Sequence, residues 1–118
     1  MSNHLYWRLY ITEGFGASGN LGYYAISEIE MRATSGGADQ CNGGTATAHD
    51  SYSATYAPSK AFDNLISSTW WASYTNNPVD WIKYAFASAV DVTELAITNR
   101  NLTTNYPPKS FKLQWSDN

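Results

Sequence analysis

Apolar and polar side chains alternate with a period of two along most of this chain, and that spacing restricts it to β-strands. In residues 5–12 (LYWRLYIT), Trp7, Leu9 and Ile11 share one face while Tyr6, Arg8 and Tyr10 share the other. Residues 23–33 (YYAISEIEMRA) place Ile29 and Met31 inward and Glu28 and Glu30 opposite. Residues 45–49 are short and β-prone, and residues 80–86, 92–98 and 110–115 supply three further strands, the last alternating Phe111, Leu113 and Trp115 with Lys112 and Gln114. No stretch carries a sustained helical period with caps. Residues 13–22 and 34–44 are rich in glycine and polar turn formers, and residues 58–64 (PSKAFDN) read as one helical turn or tight loop. Short strands at near-regular spacing between such turns predict an all-β sandwich.

A chain of 118 residues fits one domain with one modest core. Its 43% hydrophobic and 14% charged residues exclude a disordered polymer. A net charge of -3, with seven scattered Lys and Arg, argues against nucleic acid as a partner and against an anionic membrane surface. No apolar run approaches the ~20 residues that span a bilayer, so no membrane insertion is expected. The first ten residues lack the apolar core of a secretory leader, and the single cysteine, Cys41, permits no intrachain disulfide. Synthesis in a reducing cytoplasm is the expectation, with stability from packing alone. Aromatic residues reach 15%, enough to fill a sheet core, stack on sugars or line an interface.

Residues 60–73, running Lys60-Ala-Phe-Asp-Asn to Ser68-Thr-Trp-Trp-Ala-Ser73, and then Asp80-Trp-Ile-Lys-Tyr-Ala-Phe86, resemble the discoidin (coagulation-factor type C) family. That family's pattern is an Ala-Phe-Asp-Gly turn, a Ser-Thr-x-Trp corner and a Gln-Trp-hydrophobic strand. Residues 92–98 and 109–117 are similar to its next two strands. Residues 6–12 and 25–30 resemble strands that usually close the family's C-terminus, yet here they come first. The resemblance therefore implies a discoidin-like jelly-roll β-sandwich in circularly permuted order, as in bacteriophage tail and other virion proteins. The family usually continues past the Ser-Asp turn, so one or two last strands are expected to be missing and an edge left open to a neighbour.

The resemblance also implies sites. A structural Ca²⁺ would take the Asp63 carboxylate, the Lys60 carbonyl, Thr69, Glu28 and the Ser27 carbonyl, a set of hard oxygen donors. Asn64-Leu65 stands where Gly-Asn or Gly-Asp is usual. The competing reading is that Asp63 only caps its own turn. Arg100 falls where galactose-binding relatives place a ligand-reading Arg, and Asn101, Tyr74, Asn76 and Tyr106 would surround it. Trp70 is the expected exposed ring, whereas Trp71 and Trp81 match buried family tryptophans. Arg100 is equally readable as an ordinary surface residue.

Other motifs carry less. Gly14-Phe-Gly-Ala-Ser-Gly19 matches a dinucleotide-binding spacing, but no helix follows and a hairpin loop is expected. Glu28 and Glu30 share a strand face, with structural or cation duty favoured over acid–base chemistry. His4 and His49 have no nucleophile arranged beside them, so no triad and no enzyme are expected. Cys41 has no basic neighbour in the sequence to activate it.

Two functions remain. One is a virion structural protein (capsid decoration, fibre or tail component) that contacts other virion proteins or itself. The other is a carbohydrate-binding module that reads a glycan on a host or cell surface, either as part of a virion protein, where the two functions combine, or as a stand-alone extracellular lectin-like module. Rings gathered around Arg100 favour glycan binding, and rings spread over a sheet face or edge favour an interface.

Overall fold

A computed structural model describes residues 2–14, 24–66, 68–73, 79–99 and 108–118. Seven strands and two short 3₁₀ turns follow in order: β1 (His4–Gly14), β2 (Ala25–Arg32), β3 (Thr45–Ala48), turns at Ala54–Tyr56 and Pro58–Ala61, β4 (Trp71–Ala72), β5 (Asp80–Val90), β6 (Glu94–Asn99) and β7 (Pro108–Ser116). They build two antiparallel sheets, β3-β5-β1-β7 and β4-β2-β6. The expected all-β sandwich is the observed fold.

Alternation decides what each sheet buries. Leu9, Ile11 and Ile82 from the four-stranded sheet meet Ile26, Ile29, Met31 and Trp71 from the three-stranded one, and none of these side chains has measurable exposure. Removing each from water contributes roughly 1.5–3 kcal/mol before chain entropy is counted. Indole nitrogens in this core are satisfied: Trp7 Nε1 donates to the carbonyls of His4 and Val90, and Trp71 Nε1 donates to that of Asp50.

The two N-terminal strands hold inner positions. β1 lies between β5 and β7, with Leu9 opposite both Ile82 and Leu113, and β2 lies between β4 and β6. The expectation of a hairpin after Gly14 is therefore wrong, because β1 and β2 belong to different sheets. Residues 15–23 themselves lie outside the described residues.

β5 runs four residues beyond the expected 86. Its alternation stops at Phe86, and Ala87–Ala89 are exposed, so side-chain pattern gives no sign of the pairing between His4 and Val90. β4 is two residues long and shows no period. Trp71 is buried as expected, but Trp81 is not in the core. It alternates with Asp80 and Ile82 and so points outward, half-buried, from the four-stranded sheet.

Candidate functional site

The register of the two sheets gathers several strand ends at one end of the molecule. On β2, Ile26 pairs with Trp71 on one side and Asn99 on the other. On β1, Ile11 pairs with Asp80, and Gly14 with Pro108. Tyr24, Ser73 and Asn99 therefore lie at one end of the three-stranded sheet and Gly14, Val79 and Pro108 at one end of the four-stranded sheet. The Trp71 indole, bonded to the carbonyl of Asp50 beside Asp80, brings the two ends together. From them the chain enters residues 74–78, 100–107 and 15–23. Tyr74, Asn76, Arg100, Asn101 and Tyr106 fall in those segments and lie outside the described residues.

Trp70 lies at the same end, just before β4. Its ring stacks on Tyr56 with centroids 5.3 Å apart and planes 26° apart, and Tyr56 in turn leans on Tyr52 at 5.8 Å. Tyr52 is 58% exposed, whereas Trp70, the ring expected to be exposed, is half-buried. Partial cover follows from the contact with Tyr56, which the 3₁₀ turn at Ala54–Tyr56 holds in place. Ser53 starts that turn by accepting from the Thr55 N–H, and Tyr52 N–H donates to the carbonyl of Ala72. The result is a short aromatic ladder tied to β4.

The implied cation ligands Asp63, Glu28 and Thr69 share one neighbourhood beside the Pro58–Ala61 turn. Asp63 Oδ1 accepts from Leu65 N–H and Oδ2 from the Thr69 hydroxyl, which closes the 63–69 loop on itself. Asn64 sits at φ 63°, the left-handed conformation that a glycine would otherwise fill, and Asn is among the few side chains that tolerate it. This conformation directs the Asn64 N–H onto Glu28 Oε1 at 3.0 Å.

Glu28 is 1% exposed, and its Oε2 has no hydrogen-bond partner. Ser27 is buried beside it with an unpartnered Oγ. A register shift between Ile26 and Glu28 places Ser27 as an extra residue in β2, and such a bulge breaks the alternation so that five residues in a row are buried. Burial, with smaller contributions from Asp63, Asp39 and Glu30, pushes the Glu28 carboxyl up to about 8. Lys60 contributes its N–H to the turn by donating to Ala57. Glu30 is no partner for Glu28 in acid–base chemistry, because Arg32 Nη2 holds it at 2.8 Å and Arg32 Nη1 holds Glu94 at 2.7 Å.

The outer face of the four-stranded sheet carries a second aromatic array that the sequence motifs did not single out. The Arg8 guanidinium lies over Tyr10 (4.8 Å) and Trp81 (5.9 Å), and the Lys83 ammonium over Tyr6 (5.4 Å) and Trp81 (5.7 Å). Arg8 Nε also donates to Gln114 Oε1 at 2.7 Å. The alternation of β1 put Tyr6, Arg8 and Tyr10 together on one face; cross-strand register, which sequence alone does not supply, added Trp81 and Lys83. At the sheet's edge Phe111 (40%) and Trp115 (55%) stay exposed although they occupy the inward side of β7, and Trp115 stacks on His4 with centroids 3.4 Å apart. Rings are thus found both at the loop end and across a sheet face and edge. Cys41 is buried and its thiol is pushed up by that burial, which removes it from nucleophilic chemistry.

Among the described residues, no helix is long and apolar enough to cross a membrane. Residues 45–118, well over half of the chain, match the model of the F5/8 type C domain. No curated protein and no solved structure matches the chain.

Proposed function

Because the chain belongs to the F5/8 type C (discoidin) family, whose members are generally non-catalytic modules for carbohydrates or other surface ligands, we propose that its loop end reads a glycan on a host or cell surface. The observation that carries this reading is the meeting of residues 73, 79, 99, 108, 14 and 24 at one end of both sheets, beside the Tyr52–Tyr56–Trp70 ladder. Sugar rings present apolar C–H faces to aromatic planes and hydroxyls to polar side chains, and Arg100, Asn101, Tyr74, Asn76 and Tyr106 belong to the segments that leave from this end.

The setting proposed is a virion component, a capsid decoration, fibre or tail protein made in the host cytoplasm. Exposed Phe111 and Trp115 along β7 support an assembly contact with other virion proteins or a second copy. The circularly permuted order has its own support. The family match starts at Thr45, while the residues before it supply an inner strand of each sheet.

A Ca²⁺ ion fits beside Glu28. The donors are all oxygen, and a buried carboxylate oxygen without a partner is what a hard cation would neutralise. Glu28 and Asp63 would hold it, with Ser27 and Thr69 adjoining, and its effect would be to tie β2 to the 63–69 loop.

Glycan-array binding of the purified protein tests the central reading, with Arg100→Ala and Trp70→Ala as controls of confirmed fold. The expected result is retained specificity in the wild type and at least a tenfold loss in each variant. A chain that binds no glycan, or variants that bind as the wild type does, would sink the reading.

A further inference from the structure

His49, Asp50 and Asp80 are placed together by the β3–β5 register. Ala48 pairs with Ile82, so one step beyond the end of β3 His49 comes opposite Trp81, where its N–H donates to the Trp81 carbonyl at 3.0 Å. One step further, Asp50 comes beside Asp80, and its backbone is pinned by the Trp71 indole donating to its carbonyl at 3.0 Å. Nothing in the linear sequence joins Asp80 to the other two, thirty residues earlier.

The chemistry of this cluster is unbalanced. Asp80 has no exposure at all; Oδ1 accepts from the Trp81 N–H at 2.8 Å, and Oδ2 has no donor. No Lys or Arg of the described residues forms an ion pair with it. The Asp50 carboxylate lies within hydrogen-bond reach of the Asp80 carboxyl, an approach that two carboxylates make only with a proton or a cation between them. His49 Nδ1 stands 3.5 Å from Asp50 Oδ2 and 3.7 Å from Asp80 Oδ1, and one ligand atom from each residue lies within 4.8 Å of the other two. Among the described residues this is the one such gathering of three His, Cys, Asp or Glu side chains.

We propose that His49, Asp50 and Asp80 form a binding site for a divalent transition-metal ion of the zinc class, separate from the Glu28–Asp63 neighbourhood. One imidazole nitrogen and two carboxylates suit Zn²⁺ better than Ca²⁺, which takes six or more oxygens. Tetrahedral Zn²⁺ with bonds of about 2.0–2.1 Å separates its ligand atoms by about 3.3–3.4 Å. The observed 3.5 and 3.7 Å therefore need to close by only a few tenths of an ångström. Three protein ligands leave a fourth position for water or a bound group, and the His49 side chain, 45% exposed, gives the ion a way in. Asp80 Oδ1, the oxygen nearest His49, would be the ligand, and the ion would neutralise a buried carboxylate whose Oδ2 has no donor and whose neighbour is a second carboxylate.

The test is calorimetric titration of the EDTA-stripped, dialysed protein with ZnCl₂ and separately with CaCl₂, with melting temperature measured in parallel. The expected result is one Zn²⁺ per chain with a rise in melting temperature, and at least tenfold weaker binding in His49→Ala. That variant trims a half-exposed side chain and is expected to fold, and Asp50→Asn gives a second, independent removal of a ligand. His4→Ala and Glu28→Gln should bind Zn²⁺ as the wild type does. Absence of Zn²⁺ binding at millimolar concentration, or undiminished binding in both His49→Ala and Asp50→Asn, would overturn the site.

Discussion

Replacing Glu28 by Gln should leave the protein nearly as stable as the wild type at pH 5 and make it clearly more stable at pH 8, in the presence of EDTA. In the folded chain the Glu28 carboxyl is raised from 4.5 to about 8, chiefly by burial. Unfolding returns it to water and to its ordinary value, so between those two limits unfolding releases a proton. The stability carried by the protonated form is fully present below about 4.5 and is lost as pH rises to about 8. At about 1.4 kcal/mol per pH unit, the loss across that window is on the order of 3–5 kcal/mol. Gln keeps the acceptor for the Asn64 N–H and does not titrate. Asp80, also raised by burial to about 8, adds a slope of the same sign, but it does so in both proteins and cancels in their difference. Urea unfolding of the two proteins at pH 5, 6.5 and 8 measures that difference. A Glu28→Gln variant that is destabilised equally at all three pH values would refute the reasoning, because Glu28 would then be ionised throughout and held by a partner.

Further expectations follow from the packing. Leu9→Ala opens a cavity between Ile82 and Leu113 and should cost about 2–5 kcal/mol in urea unfolding; a loss under 1 kcal/mol would mean the core collapses around the gap. At Gly44 a Cβ would meet the Ala85 carbonyl oxygen at 2.2 Å and the Tyr84 ring at 2.6 Å, so Gly44→Ala should lower stability by about 1–3 kcal/mol, and an unchanged melting temperature would contradict the β3–β5 approach. If β7 is an assembly edge, light scattering at rising concentration should show self-association of the wild type that Trp115→Ser reduces; equal masses for both would remove that edge from the account.

Much of the fold was legible because strands announce themselves by period. Alternation alone groups Trp7, Leu9 and Ile11 on one face of β1 and turns Ile29 and Met31 inward, and all five are buried. What alternation cannot supply is the partner of each strand. The outward turn of Trp81, the array it forms with Arg8, Tyr6 and Lys83, and the meeting of His49 with Asp80 all depend on register between segments distant in sequence. Glu28 was read as a member of the polar face of β2; its burial comes from the bulge at Ser27 and from the 63–69 loop folded over it, neither of which a period reveals. The family pattern did single out Asp63, Thr69 and Glu28 together. It also marked Asn64 as unusual, and the reason it is tolerated is its left-handed backbone.

The most direct test of the loop-end reading is to locate the bound ligand. Amide shifts followed by NMR during titration with the best glycan from the array should move first at Trp70, Ser73 and Asn99 and in the segments they flank. Shifts confined instead to Tyr6, Arg8, Trp81 and Lys83 would place the ligand on the outer sheet face and contradict a binding site built from the loops.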